Sequence, residues 1–139
     1  MCYTQIVTAK KQQKFVVDRL FRALADPTRL RLIHLMARQE ICVCYLVEVL
    51  QASQPKISRH LAYLRRTGLV AARREGKWMH YRLVVPSQPR AAAILETTIK
   101  ALRQGEQFQR DWECLKRACC GPRSLVQLLG APRPSTIRA

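Results

Sequence analysis

Acidic side chains are scarce in this chain of 139 residues: nine Asp and Glu face twenty-five Lys and Arg, for a formal net charge of +16. That imbalance argues for a polyanionic partner, nucleic acid before any other, and says nothing about the fold. Aromatic residues make up only 6% of the chain, which excludes a base-stacking platform of the single-strand-binding kind. Glycine is equally thin, five residues against a hydrophobic content of 48%, so a folded and mostly helical chain is expected rather than a disordered one. Long apolar runs are missing. The longest, Ile41 to Val47, is too short to span a bilayer, and Met1 to Lys14 lacks the apolar core of a secretory signal. A cytoplasmic location without a membrane partner is therefore expected, and six cysteines there are read as reduced thiols, not as a disulfide framework. Catalytic equipment is missing too. No Gly-rich phosphate loop or carboxylate pair is present, and of the histidines that could pair with a cysteine, His60 and His80 fall in segments better suited to DNA. An enzyme is not expected.

What is present reads as a series of short helices followed by a hairpin. Apolar returns at Phe15, Val16, Leu20 and Leu24 predict a helix over Lys10 to Ala25. Asp26-Pro27 restarts the chain, an N-cap followed by a proline at the first helical position, and a second helix should run to about Arg38. A third is expected from Cys44 to Leu50, with Gln51-Ala52-Ser53 as the turn and Ser53 as the cap of a fourth. On that fourth helix Ile57, Leu61 and Leu64 face inward, which sends Lys56, Ser58, Arg59 and Arg65 outward, and Gly68 ends it. Leu69 to Arg74 and Trp78 to Leu83 read as strands joined at Glu75-Gly76-Lys77. One long helix is then expected from Arg90 to Lys116, weakened in the middle by Gly105 and stopped by Gly121-Pro122. A short apolar piece, Ser124 to Leu129, and a Pro-rich basic tail complete the chain.

Two short helices, a tight turn and a basic hairpin make a winged helix-turn-helix, so the fold class is mainly α with a β-hairpin (α+β). A helix fits the major groove, where base edges differ, and a basic hairpin reaches the neighbouring phosphates. Ser53, Gln54, Ser58, Arg59 and His60 are the candidates for groove contacts. Lys56, Arg65, Arg73, Arg74, Lys77 and Arg82 are the candidates for phosphate contacts, with double-stranded DNA as the partner.

Cys42-Val43-Cys44 stands just upstream of that reading helix, and Cys119-Cys120 forms a second close pair. Thiolates select soft ions, which makes all four candidate metal ligands. If Cys42 and Cys44 both sat on a regular helix they would point about 200° apart, so gripping one ion would require the first turn of the third helix to unwind.

Leu24 to Leu30, Glu40 to Cys44, Ser53 to Val70 and Glu75 to Arg82 together resemble the ArsR/SmtB family, nearest to its arsenic-responsive repressors, over about Asp18 to Leu83. The resemblance implies a homodimeric repressor that holds its operator until As(III) or Sb(III) binds as inducer, and dimerisation through the first and last long helices. It implies a winged helix-turn-helix and dimerisation unit over 1–118, followed by a cysteine-containing tail over 119–139. It also implies a third cysteine three residues after the second, where this chain has Val47, and an Asp where it has Tyr45. Cys42 and Cys44 carry over and the third ligand does not. The missing sulfur could come from Cys119 or Cys120, from Cys114 or from Cys2; a separate site at Cys119-Cys120 is also open. Alternatives are a Cd(II)/Pb(II)-responsive repressor using Cys2, and a thiol-redox switch. A zinc site on the last helix is disfavoured because no His lies between Pro86 and Lys116.

Overall fold

In the computed structural model residues 17–120 and 130–134 are described, and of Cys120 only the backbone. The expected positions 10–16 of the first helix, the piece Ser124 to Leu129 and the end of the tail lie outside the described residues. The chain is helical over 17–24 (α1), then runs α2 Pro27–Met36, β1 Ile41–Cys42, α3 Val43–Leu50 and α4 Gln54–Arg66. It continues as β2 Val70–Glu75, β3 Trp78–Leu83, α5 Pro89–Leu102 and α6 Glu106–Cys120. Among the described residues no helix is long and apolar enough to cross a membrane.

The boundaries follow local chemistry. Asp26 caps α2 through its side chain, accepting from the Arg29 N–H at 3.0 Å, and Pro27 takes the first turn, where no helical acceptor is needed. Ser53 does the same for α4, accepting from the Lys56 N–H. Gly68, at φ +81°, lets the chain leave α4: the Leu69 N–H reaches back to the Leu64 carbonyl at 3.0 Å and Gly68 to that of Arg65 at 3.1 Å. The inner face of α4 is the expected one, with Ile57, Leu61 and Leu64 fully buried. Each such side chain stabilises the fold by roughly 1.5–3 kcal/mol through burial.

Two features depart from the sequence reading. The first is a third strand: β1 pairs antiparallel with β3, so the sheet has the order β1-β3-β2. At two residues it carries no periodicity that could have announced it. The second concerns the long last helix, which is two helices. The chain turns at Arg103 to Gly105, and α6 folds back against α3 and α2. The absence of a side chain at Gly105 lets the Phe108 ring pack close over the turn, where a Cβ would stand 2.9 Å from Phe108 Cδ2. Across the interface Arg31 donates from Nε and Nη2 to the two oxygens of Asp111, each at 2.8 Å, and within α6 Gln107 donates to the same carboxylate at 2.9 Å. Leu115, Ala118 and Cys119 of α6 are therefore part of this chain's own core. The division expected between 118 and 119 falls inside α6.

Candidate nucleic-acid interface and thiol pair

Packing of Ile57, Leu61 and Leu64 inward leaves the other side of α4 to solvent. Gln54, Lys56, Ser58, Arg59 and Arg65 are exposed there, and among the described residues none has a carboxylate within ion-pair distance. Arg66, in the same last turn, is exposed as well and was passed over in the sequence reading; it leans over the Tyr63 ring. Ser53 is exposed but its hydroxyl is engaged in capping α4. His60 points elsewhere: its Nδ1 lies 3.8 Å from Asp26 Oδ1, so the ring sits at the seam between α2 and α4. Burial pushes the Asp26 carboxyl up, but the Arg29 N–H, His60 and the Arg29 guanidinium outweigh it and hold the carboxyl below its usual range.

The hairpin turns at Gly76, φ +58°, between the paired residues Glu75 and Trp78. Its basic residues divide into two groups. Arg74, Lys77 and Arg82 are exposed, with no ion-pair partner among the described residues, and Lys77 lies over the Trp78 ring at 4.9 Å. Arg73 is engaged. Its Nη2 is 2.6 Å from Glu40 Oε1 and 3.5 Å from Glu75 Oε2, and hydrogen bonding from Arg73 holds the Glu40 carboxyl below the usual range. The buried His80 completes this clasp: its Nδ1 is 4.0 Å from Glu40 Oε1, and its Nε2 is 2.9 Å from Glu75 Oε2, although not aligned as a hydrogen bond. Sequence reasoning missed Glu40, Glu75 and His80 because they meet only through strand register. His80 pairs with Cys42 on one side and with Arg73 on the other.

The thiol pair lies at the far edge of the same sheet. Cys42 ends β1 and stands at the N-cap of α3 with an extended backbone, φ −67° and ψ 140°. It is therefore not on the helix, and the expected 200° divergence from Cys44 does not arise. Cys44 lies close enough to Cys42 to influence its thiol. Cys42 is only 1% exposed, and Cys44 is half-buried. Burial pushes the Cys42 thiol up to about 11; backbone N–H groups of Cys44 and Met79 pull the other way without prevailing.

Cys119 is buried on α6, and Tyr45 of α3 is fully buried and donates from its hydroxyl to the Ala131 carbonyl at 3.3 Å. Burial pushes the Tyr45 phenol up to about 12, with Cys119 the next contributor and Cys42 and Cys44 smaller ones. Cys114 is half-buried, with the Arg117 guanidinium 3.2 Å from its sulfur. Among the described residues no three His, Cys, Asp or Glu side chains form a group that could hold a metal ion.

A reading helix presented beside a three-stranded sheet with a basic hairpin defines the class: a winged helix-turn-helix DNA-binding regulator. The sequence profile described as "Bacterial regulatory protein, arsR family" matches residues 26–72. The chain is 41% identical over 105 residues to the arsenic resistance transcriptional regulator ArsR1 of Pseudomonas putida, covering 75% of this chain and 79% of that protein. It is 51% identical over 78 residues to the arsenical resistance operon repressor of Escherichia coli K12, covering 55% and 67%. The solved structure of AntR, an antimony-specific transcriptional repressor, is similar at a TM-score of 0.53 and 34% identity, over 66% of this chain and 80% of that one. The chain belongs to the ArsR family of bacterial regulators, and it is a transcriptional regulator rather than an enzyme.

Proposed function

We propose that the chain is a homodimeric repressor that leaves its operator when a trivalent metalloid, As(III) or Sb(III), binds Cys42 and Cys44. The observation that carries the reading is the position of Cys42: it is at once a residue of the wing's sheet and the N-cap of α3. An ion drawing the two sulfurs together acts on α3, which packs against α4, and on β1, whose partner His80 touches Glu75 of the wing. Both DNA-contacting elements are thus mechanically attached to the thiols. An ion that binds the DNA-incompetent arrangement better must weaken DNA binding by the same factor.

In this reading Gln54, Ser58 and Arg59 face base edges, and Lys56, Arg65, Arg74, Lys77 and Arg82 face phosphates. Ser53 serves by capping, His60 by holding α4 on α2, and Arg73 enters only when its carboxylates release it. The names of the relatives support a metalloid inducer, and the thiol pair supplies two of the three sulfurs that trivalent arsenic takes. We assign the third to the end of α6, Cys119 or Cys120. Cys2 is the competing donor.

The test is a mobility shift on the upstream DNA of the chain's own coding sequence, titrated under reducing conditions with As(III), Sb(III), Cd(II) and Zn(II). Release by As(III) and Sb(III), abolished in a Cys42→Ser/Cys44→Ser variant that still binds DNA, is the expected result. Release by Cd(II) alone, or an unchanged response in the double variant, overturns it. Single Cys119→Ser and Cys2→Ser variants then identify the third sulfur.

A further inference from the structure

A cavity of about 240 Å³ opens between the C-terminal end of α2, the turn after α5 and the first turns of α6, away from the thiols and from α4. Arg38 and Arg103 come to it from different segments, and neither has a carboxylate within ion-pair distance among the described residues. The two cations disfavour each other: burial, and then Arg103, hold the Arg38 guanidinium below its ordinary value. His34 lines the cavity from α2, is 2% exposed, and its Nδ1 has no hydrogen-bond partner. A buried polar atom left unpaired costs roughly 1–3 kcal/mol, a cost that something arriving from outside can offset. The walls are aromatic. Phe108 meets the His34 ring edge-on at 5.5 Å, and Trp112 lies beneath the Arg38 guanidinium at 4.1 Å. The carboxylate on the rim, Glu113, is held by Lys116 at 2.6 Å.

We propose that this cavity is a binding site for a small aryl carboxylate. Two planar guanidiniums match a carboxylate in shape and charge, and both lack one here. The His34 imidazole lines the same wall, Phe108 and Trp112 flank an aromatic body, and the volume exceeds what a bare oxyanion fills. Such a ligand would bridge α2 to the turn between α5 and α6 and brace α6 in place. The site owes nothing to the thiols, so its standing is independent of the metalloid reading.

The site also predicts a proton count. Burial, then Arg38 and also Arg103, push His34 below its ordinary value, while Asp111, already bound to Arg31 and Gln107, opposes them. A carboxylate set among these groups favours the charged imidazole, so binding takes up a proton and tightens as pH falls from 8 to 6. The experiment is calorimetric titration of the full-length protein with benzoate, inorganic phosphate and acetate at constant ionic strength, in two buffers of different ionisation heat. Saturable benzoate binding with proton uptake, weakened about tenfold by Arg103→Gln and again by Arg38→Gln but not by Arg110→Gln, is expected. Equal binding of phosphate and benzoate would overturn the aromatic part of the assignment. Absence of saturable heat, or benzoate binding untouched in both arginine variants, would overturn the site.

Discussion

The proton on Cys42 distinguishes the possible inducers by their chemistry. With its thiol pushed up to about 11 by burial, Cys42 is protonated throughout the physiological range. A divalent cation such as Cd(II) must expel that proton into solution. Its affinity is therefore expected to rise about tenfold per pH unit from pH 6 to 8 for this thiol alone. Arsenous acid, As(OH)₃, behaves differently: each S–As bond that forms releases one As–O bond, and the thiol proton leaves with the hydroxide as water. No net proton is exchanged, so arsenite affinity should stay nearly flat over the same range. Titrating DNA release by each ion at three pH values checks both, and a flat cadmium profile would show that Cys42 is not a ligand. The same raised value fixes a stability window. Because the folded thiol holds its proton more tightly than the ordinary value of 9.0, its contribution is intact below pH 9 and is lost as pH rises through about 11.

At the level of elements, two clamps decide what moves. Asp111 is 2% exposed and accepts both hydrogen bonds from Arg31, whose own side chain is a quarter exposed. Asp111→Ala leaves that guanidinium without its partner beneath α6; discounted for its exposure, the expected cost is about 2–3 kcal/mol. Thermal denaturation should show a fall in Tm of roughly 10 °C, and a change of one or two degrees would mean that apolar contacts alone hold α6. The clamp on the wing is different. Replacing both Glu40 and Glu75 with Gln breaks two exposed contacts and should cost less than about 1 kcal/mol for each, but it frees Arg73 for phosphate. The salt slope of DNA binding should then steepen by about 0.9 for each protomer; an unchanged slope would show that Arg73 never reaches the backbone. These clamps are also where the sequence reading ran out. Caps, turns and inward faces were legible because Asp26, Ser53, Gly68 and the Ile57-Leu61-Leu64 row act within a few residues of themselves. The break at Gly105, the strand Ile41–Cys42 and the Glu40–Arg73–His80 clasp depend on partners far along the chain. Periodicity contains no term for those. The divergence of Cys42 and Cys44 on a regular helix does not apply, because Cys42 is the extended cap of α3 and only Cys44 lies within it.

For the whole molecule, charge is the property that composition disclosed first and that structure then narrows. A formal +16 could imply indiscriminate attraction to any polyanion. The distribution is more selective. Lys56, Arg59, Arg65, Arg74, Lys77 and Arg82 are exposed, lie on α4 and the wing, and have no carboxylate within ion-pair distance among the described residues. By contrast Arg29, Arg31 and Arg73 are tied into the fold by hydrogen bonds to backbone carbonyls or to carboxylates. If the five unpaired cations assigned to phosphates, Lys56, Arg65, Arg74, Lys77 and Arg82, all meet them, log K should fall with log salt at a slope of about −4.5 for each bound protomer and about −9 for a dimer. Measuring affinity between 50 and 200 mM salt gives that slope directly. A slope half as steep would mean that either the wing or α4 stays clear of the backbone. Arg74→Gln and Arg65→Gln then tell which: the element in contact loses about 0.9 from the slope per protomer, and the other loses nothing. Arg59→Ala should behave differently from both, relaxing discrimination between operator and random DNA while leaving the slope nearly as steep, because a base contact specifies and a phosphate contact only positions.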